Sequence, residues 1–373
     1  MEQDLIDVVE PYVYSHIRTR IITLEQINRL PLKKGVNVLV IATKSAAVKS
    51  GAFPDFKEAV EKTGASVILS ELVVEENPSL QTIEKIAALY KPKNISLVAG
   101  IGGGSALDAA KAVALALKDN LLKNIPVDKL AYTPILLIPT TSGTGSEVTK
   151  YSIVTDHSTT PPTKKSIPDH VYATYIIMNP KYLQSQSEAM LAATAIDAAS
   201  HAIEGILSIN SSPQIDLMAY ESVTLSGDVL RTLYLGSPRT DEFWVKMMAA
   251  SVLAGLVINY TGTSLPHGCS YALTTEHGIA HGRALGLTYG AYLRLCDEQK
   301  VTRILNLMNL KSIDELDVLF KSLLTRDVNI QYPTEEQIRD MASRVMNEGK
   351  TKQHPSSVTV DDIVNMYKNI LPK

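Results

Sequence analysis

ISLVAGIGGGSALDAAKAVALAL, residues 95–117, reads as a buried strand, a glycine turn over 100–104 and an amphipathic helix beginning near Ser105. Glycines at such a turn let the backbone approach a ligand closely, and the helix start presents free N–H groups to a phosphate. The spacing is not G-x-G-x-x-G with an acid about twenty positions later, so the ordinary Rossmann fingerprint is not met. Taken alone, a tight strand-to-helix turn without a ligand fits as well.

Working outward, apolar runs at 36–42, 66–69, 96–101 and 134–139 alternate with helical patterns at 45–63 and 79–90, the signature of a parallel sheet. Beyond Pro180 the β-rich runs thin out. Helical patterns follow at 187–208, 215–235, 241–259, 282–296, 312–324, 334–348 and 360–371. The expected architecture is therefore an α/β N-terminal domain with a parallel sheet over 1–180, and an all-helical C-terminal domain over 181–373. PTTSGTGSEVTKYS and HSTTPPTKKSIPDH read as loops of the first domain, not as a linker. Every residue from Thr140 to Ser146 is Thr, Ser or Gly, and the first charge is Glu147. Hydroxyls and free amides can line a diphosphate or ribose without a repelling charge. With the glycine turn, this makes two polar loops at the ends of two strands and predicts a shared crevice.

The second half carries a different chemistry. In TAIDAASHAIEG, Asp197 and His201 are i and i+4 in a segment of Ala and Ile that reads as a buried helix, so both project from one face. A carboxylate there is costly unless paired, hydrogen-bonded or metal-bound, and no Lys or Arg stands near it in sequence. Downstream, LPHGCSYALTTEHGIAHGRALG holds His267 and His281, each followed by Gly, in a chain with eight histidines in all. An N-cap for Asp197 and core positions for the histidines are the bland alternatives. Three imidazoles and one carboxylate make a thiolate-free set suited to Fe(II) or Zn(II), with open positions for a substrate oxygen.

GGGSALDAAKAVAL, PTTSGTGSEVT, AIDAASHAIEG and the HG…GIAHGRA run, in that order and spacing, resemble the iron-dependent (group III) alcohol dehydrogenase family of the dehydroquinate synthase-like fold. The resemblance runs from about residue 35 to the C-terminus. It implies a nucleotide-binding domain, a helical domain and a divalent metal, Fe2+ or Zn2+, in a cleft between them. It also implies Asp197, His201, His267 and His281 as metal ligands and catalytic centre. Gly102, Gly103, Gly104, Ser105 and Asp108 fall to the diphosphate and nicotinamide-side turn, and Thr140, Thr141, Thr144 and Ser146 to the second cofactor loop. Lys164 falls near the ribose. The chain departs from the pattern at Tyr271, where many members have a proton-relaying histidine; a phenol titrates at about 10 and is poorly suited to that role. His277 nearby reads as a solvent-facing loop residue.

The reaction implied is reversible, NAD(P)-linked oxidation of an alcohol to an aldehyde or ketone, the ion acting as Lewis acid on the substrate oxygen. A polyol or glycerol dehydrogenase and a dehydroquinate synthase-like lyase are the alternatives within the fold. After the strand 36–42 there is no acid to take the adenosine ribose hydroxyls; Thr43, Lys44, Ser45 and Lys49 stand there instead, which favours the 2′-phosphate of NADP over NAD. The 373 residues are 45% hydrophobic and 20% charged with net charge −3, which supplies no basic field for nucleic acid or an anionic membrane. Two cysteines cannot build a disulfide framework, and the N-terminus has no basic-then-apolar leader, so a cytoplasmic enzyme is expected. No segment reads as a membrane span, and a homo-oligomer, a homodimer on the family pattern, is the expected assembly.

Overall fold

The computed structural model describes residues 1–118, 130–160, 162–167, 171–324, 333–347, 349–354 and 356–368, the side chains of 44–46 excepted. The expected ends of the helices at 334–348 and 360–371 lie outside these residues. The chain divides into two compact units, Met1–Gln186 and Ser187–Lys373. The division falls a few residues past the expected 180/181. The short 3-10 turn Pro180–Ser185 belongs to the first unit, where the Tyr182 hydroxyl donates to Asp55 at 3.0 Å and Lys181 pairs with the same carboxylate at 2.8 Å.

The first unit carries a parallel sheet of β1 (Arg20–Ile21), β2 (Asn37–Ala42), β3 (Ser66–Leu69), β4 (Ile95–Gly102), β5 (Ile135–Pro139) and β8 (Tyr175–Ile176), in the order β1-β8-β5-β4-β2-β3. A separate antiparallel hairpin pairs β6 (Ile153–Asp156) with β7 (Thr163–Ser166). The helices are α1 (Glu2–His16), α2 (Lys44–Lys49), α3 (Ala52–Glu61), α4 (Leu80–Tyr90) and α5 (Gly104–Ala116). β4 and β5 are buried on both faces, which is why they read as continuous apolar runs.

The glycine turn is narrower than its sequence suggests, because β4 runs through Gly100 to Gly102. A Cβ on Gly100 would stand 2.7 Å from Leu137 Cδ2 and 2.8 Å from Ala110 Cβ, so this glycine serves close strand–helix packing. The single helix expected at 45–63 is two, broken at Gly51, whose φ of 84° an L side chain rarely adopts. The hairpin has β7 inside the segment HSTTPPTKKSIPDH, expected as a loop, and β6 just before it. Its second strand, TKKS, is polar and mostly exposed and so carries no apolar alternation to read.

The second unit holds only helices among the described residues: α6 (Glu188–Leu207), α7 (Pro213–Tyr234), α8 (Asp241–Thr261), α9 (Leu265–His277), α10 (His281–Leu293), α11 (Glu298–Leu307), α12 (Ile313–Leu323), α13 (Glu335–Asn347) and α14 (Val360–Lys368). Its core is the packing of α6, α7 and α8, with α6 approaching α8 so closely that a Cβ on Gly205 would sit 2.2 Å from Val257. Against the expectation of no membrane-length segment, α6 and α8 are long and apolar enough to cross a bilayer. Both are core helices here, with 83% and 89% of their apolar windows buried.

Candidate metal centre and nucleotide cradle

α6 begins behind Ser187, whose hydroxyl caps Met190 N–H, and runs through an almost wholly buried stretch of Ala and Ile. Asp197, His201 and Glu204 lie one helical turn apart on one face, and all three are buried. α9 delivers His267 in its first turn, where Pro266 costs no hydrogen bond. α10 opens on His281.

The three imidazoles surround one oxygen. Nε2 of His281, His267 and His201 stand 3.5, 3.7 and 3.8 Å from Asp197 Oδ1. Ligand atoms about 2.1 Å from a common ion in a tetrahedron are about 3.4 Å apart, so the spacing suits a divalent cation. Ligand atoms of Asp197, His267 and His281 all lie within 4.8 Å of one another; His201 stands outside that tightest group, one turn along the helix, with its ring stacked on His267 at 4.6 Å.

The outer nitrogens explain why the inner ones point inward. His267 Nδ1 lies 2.7 Å from Glu204 Oε1, a carboxylate acceptor, so Nδ1 donates to Glu204 and the ring turns Nε2 toward Asp197. Ser270 Oγ donates to the His267 carbonyl at 2.8 Å, so at 3.1 Å it accepts from His281 Nδ1, with the same result. Asp197 Oδ1 and His267 Nε2 are buried with no hydrogen-bond partner. Such orphaned atoms are costly unless something binds them.

Electrostatics agree. Burial alone would push the His267 pKa down, but Glu204 and Asp197 beside it raise it to about 10. Burial opposes ionisation of Asp197, yet His201, followed by His267 and His281, holds it well below the usual carboxylate range. The cluster therefore attracts positive charge, and its residues fit a divalent ion. His281, with 30% of its side chain exposed, forms the open edge.

Glu204 was not foreseen. It is the i+7 residue of the Asp-x-x-x-His face and a second acid in an apolar helix, which is the signal that could have found it. Its other oxygen accepts from Ser264 N–H at 2.5 Å, so one carboxylate fixes both His267 and the start of α9.

The glycines after the histidines also find their reason. A Cβ on Gly282 would stand 2.1 Å from the carbonyl oxygen of Ala193, so α10 begins in backbone contact with α6. Gly282→Ala should therefore push His281 off Asp197, lowering stability by about 1–3 kcal/mol and metal occupancy with it. Thermal unfolding with metal analysis checks this, and a wild-type melt with full metal would contradict it. Tyr271 stacks on His281, ring centres 6.4 Å apart, and His277 ends α9 half-buried rather than lying in an open loop.

In the first unit the expected nucleotide residues converge around the end of β4. A Cβ on Gly102 would stand 3.3 Å from Thr43 Oγ1, one on Gly103 3.0 Å from Thr141 Oγ1, and one on Gly104 2.7 Å from Thr144 Cγ2. The glycines thus let the threonines of the neighbouring loops pack directly on the backbone at the start of α5, where hydroxyls beside helix-start N–H groups suit a diphosphate. Thr140 N–H donates to Gly102 O at 2.9 Å, tying the two loops together, and the Thr140 and Ser142 hydroxyls are buried without partners. Ser105 Oγ accepts from Asn77 N–H at 3.3 Å. Asp108 Oδ1 accepts from Ser146 Oγ at 2.6 Å and Oδ2 from Ile153 N–H at 3.0 Å, so Asp108 braces the second loop. Burial raises the Asp108 pKa against the opposing charges of Lys111 and Lys164, which places Lys164 within electrostatic reach. Thr43 is half-buried and Lys49 exposed; the Lys44 and Ser45 side chains lie outside the described set.

Residues 16–180 match the family model for iron-containing alcohol dehydrogenase, and residues 191–371 that for the C-terminal part of the Fe-containing alcohol dehydrogenase family. Long-chain-alcohol dehydrogenase 1 of Geobacillus thermodenitrificans is 33% identical over 302 residues, 77% of this chain and 74% of that protein. The iron-containing alcohol dehydrogenase structure from Thermotoga maritima superposes with a TM-score of 0.81 at 32% identity, covering 95% of this chain and 98% of that one. The sulfoacetaldehyde reductase of Bifidobacterium kashiwanohense, solved with NAD+, gives 0.79 at 26% identity, covering 94% and 96%.

Proposed function

Because the chain belongs to the iron-containing alcohol dehydrogenase family, we propose that it reduces aldehydes with NADPH at an Fe2+ centre, and runs the reverse alcohol oxidation. It is a metal-dependent, nicotinamide-linked oxidoreductase acting on alcohols and aldehydes. The convergence of three inward-facing Nε2 atoms on Asp197 Oδ1 supports the metal-ligand roles of Asp197, His201, His267 and His281. An ion held there supplies Lewis acidity toward the substrate oxygen. Zn2+ suits the same ligands. Glu204 and Ser270 hold the outer nitrogens of His267 and His281, which turns both inner nitrogens toward Asp197, where an ion would bind. The cradle formed by Gly102, Gly103, Gly104, Thr141 and Thr144 would hold the cofactor's diphosphate, and Ser105, Thr140, Ser146 and Lys164 would flank it. A homo-oligomer working in a reducing cytoplasm completes the reading. The reducing compartment is supported by Cys269 and Cys296, neither of which is in a disulfide.

The NADP assignment rests on the end of β2, where Thr43 stands in place of a ribose-binding acid. A lower KM for NADPH than for NADH is expected, and Thr43→Asp should reverse the preference by setting a like charge against the 2′-phosphate. Absorbance of the reduced cofactor with a panel of aldehydes, after iron or zinc reconstitution, tests both claims. Equal or better kcat/KM with NADH in the unmodified enzyme would sink the NADP reading, and no turnover with any aldehyde the reductase reading.

A further inference from the structure

We propose that Lys350 selects substrates carrying a carboxylate tail, so that the preferred substrates are ω-carboxylated aldehydes and their alcohols. This inference rests on the metal-centre reading above. Lys350 opens a short 3-10 turn, Lys350–Gln353, behind Gly349 in the left-handed conformation. Its stem crosses the glycine that follows His267: a Cβ on Gly268 would meet Lys350 Cβ and Cγ at 3.1 Å. Its Nζ lies 5.3 Å from the centre of the Tyr271 ring, and that ring stacks on His281. The ammonium thus stands on the flank of the histidine cluster, across Tyr271 from the most exposed ligand.

An ammonium has three donors. One goes to Thr263 Oγ1 at 2.8 Å. Among the described residues no carboxylate lies within ion-pair distance of Lys350, although the neighbouring Arg344 is matched by Glu276 in a bidentate pair at 2.6 and 3.0 Å. A half-buried cation with spare donors beside an aromatic face and next to a reaction centre is a receptor for an anion. A substrate whose oxygen lies at the ion runs its chain along Tyr271 and places its tail at Lys350. The chemistry balances as for any aldehyde: the carbonyl carbon takes hydride from the reduced nicotinamide, the oxygen takes a proton from solvent, and the carboxylate is unchanged.

The test compares 4-oxobutanoate with butanal and 6-oxohexanoate with hexanal, using the full-length, metal-loaded enzyme. The acids should be preferred in kcat/KM by roughly tenfold. Lys350→Met should bring that ratio close to one through KM for the acids, Lys350→Arg should restore most of it, and added salt should weaken it. Neutral aldehydes equalling the acids in the unmodified enzyme would overturn the proposal, as would an equal loss on both classes in Lys350→Met, which would make the residue a brace for Tyr271. Saturation-transfer NMR with 4-hydroxybutanoate and butan-1-ol on the cofactor-free protein reads the same selectivity without turnover. Loss of the acid's advantage in Lys350→Met supports the proposal, and equal binding in the unmodified protein overturns it. This arm decides about Lys350 even if no aldehyde is reduced.

Discussion

His281→Ala should strip most of the bound metal and cut turnover by roughly a thousandfold or more, while the protein stays folded and still binds nicotinamide cofactor. His281 is the best ligand to remove because it is the most exposed of the four, and its outer nitrogen is held by the Ser270 hydroxyl. His267→Ala should cost as much activity but is harder to interpret. It leaves the buried Glu204 facing a void, and an uncompensated buried carboxylate destabilises by about 3–5 kcal/mol. Cofactor binding should survive both changes, because the glycine cradle belongs to a separate compact unit. Metal content by mass spectrometry and a thermal melt separate the outcomes. Full metal and near-normal turnover in His281→Ala would remove His281 from the site.

How much of this could be read beforehand follows from what each residue contributes locally. The strands β2, β4 and β5 were legible because burial on both faces demands unbroken apolar runs. β1 and β8, two residues each, carry no period at all. α9 went unseen because its turns are filled with His, Gly, Ser and Thr, chosen for the cluster rather than for a helical stripe, whereas α11 was missed although Val301, Ile304 and Leu305 do lie on one buried face. The Asp-x-x-x-His face was legible, since a carboxylate in an apolar helix needs a partner. Its continuation to Glu204 was equally visible and was passed over. The contacts of Lys350 and Lys111 were beyond reach, because each reaches side chains or carbonyls tens of residues away in sequence.

Lys111→Met should destabilise the first unit by about 3–5 kcal/mol, and by more at alkaline than at acid pH. The Lys111 side chain is fully buried on α5, and Nζ donates to Tyr151 O at 2.6 Å, Thr149 O at 3.0 Å and Ser146 Oγ at 3.1 Å. It also lies 3.8 Å from Asp108. Methionine matches the length but supplies no donor. The change would therefore leave two carbonyls short of a donor and the acids Asp108 and Glu147 without their cation. The pH dependence comes from Glu147, whose pKa burial raises from 4.5 to about 7 although Lys111 pulls it down. An acid that binds its proton more tightly when folded favours the folded state at low pH, and that advantage is lost as pH rises from 4.5 through about 7. Without Lys111 the Glu147 pKa climbs further, so the variant, already below the wild type near pH 5 for want of those hydrogen bonds, should fall further below it near pH 8. The polar loop over residues 140–146 should loosen as well, raising the KM for cofactor. A melting temperature within about 2 °C of wild type at both pH values, with an unchanged cofactor KM, would show that the loop is held without this lysine.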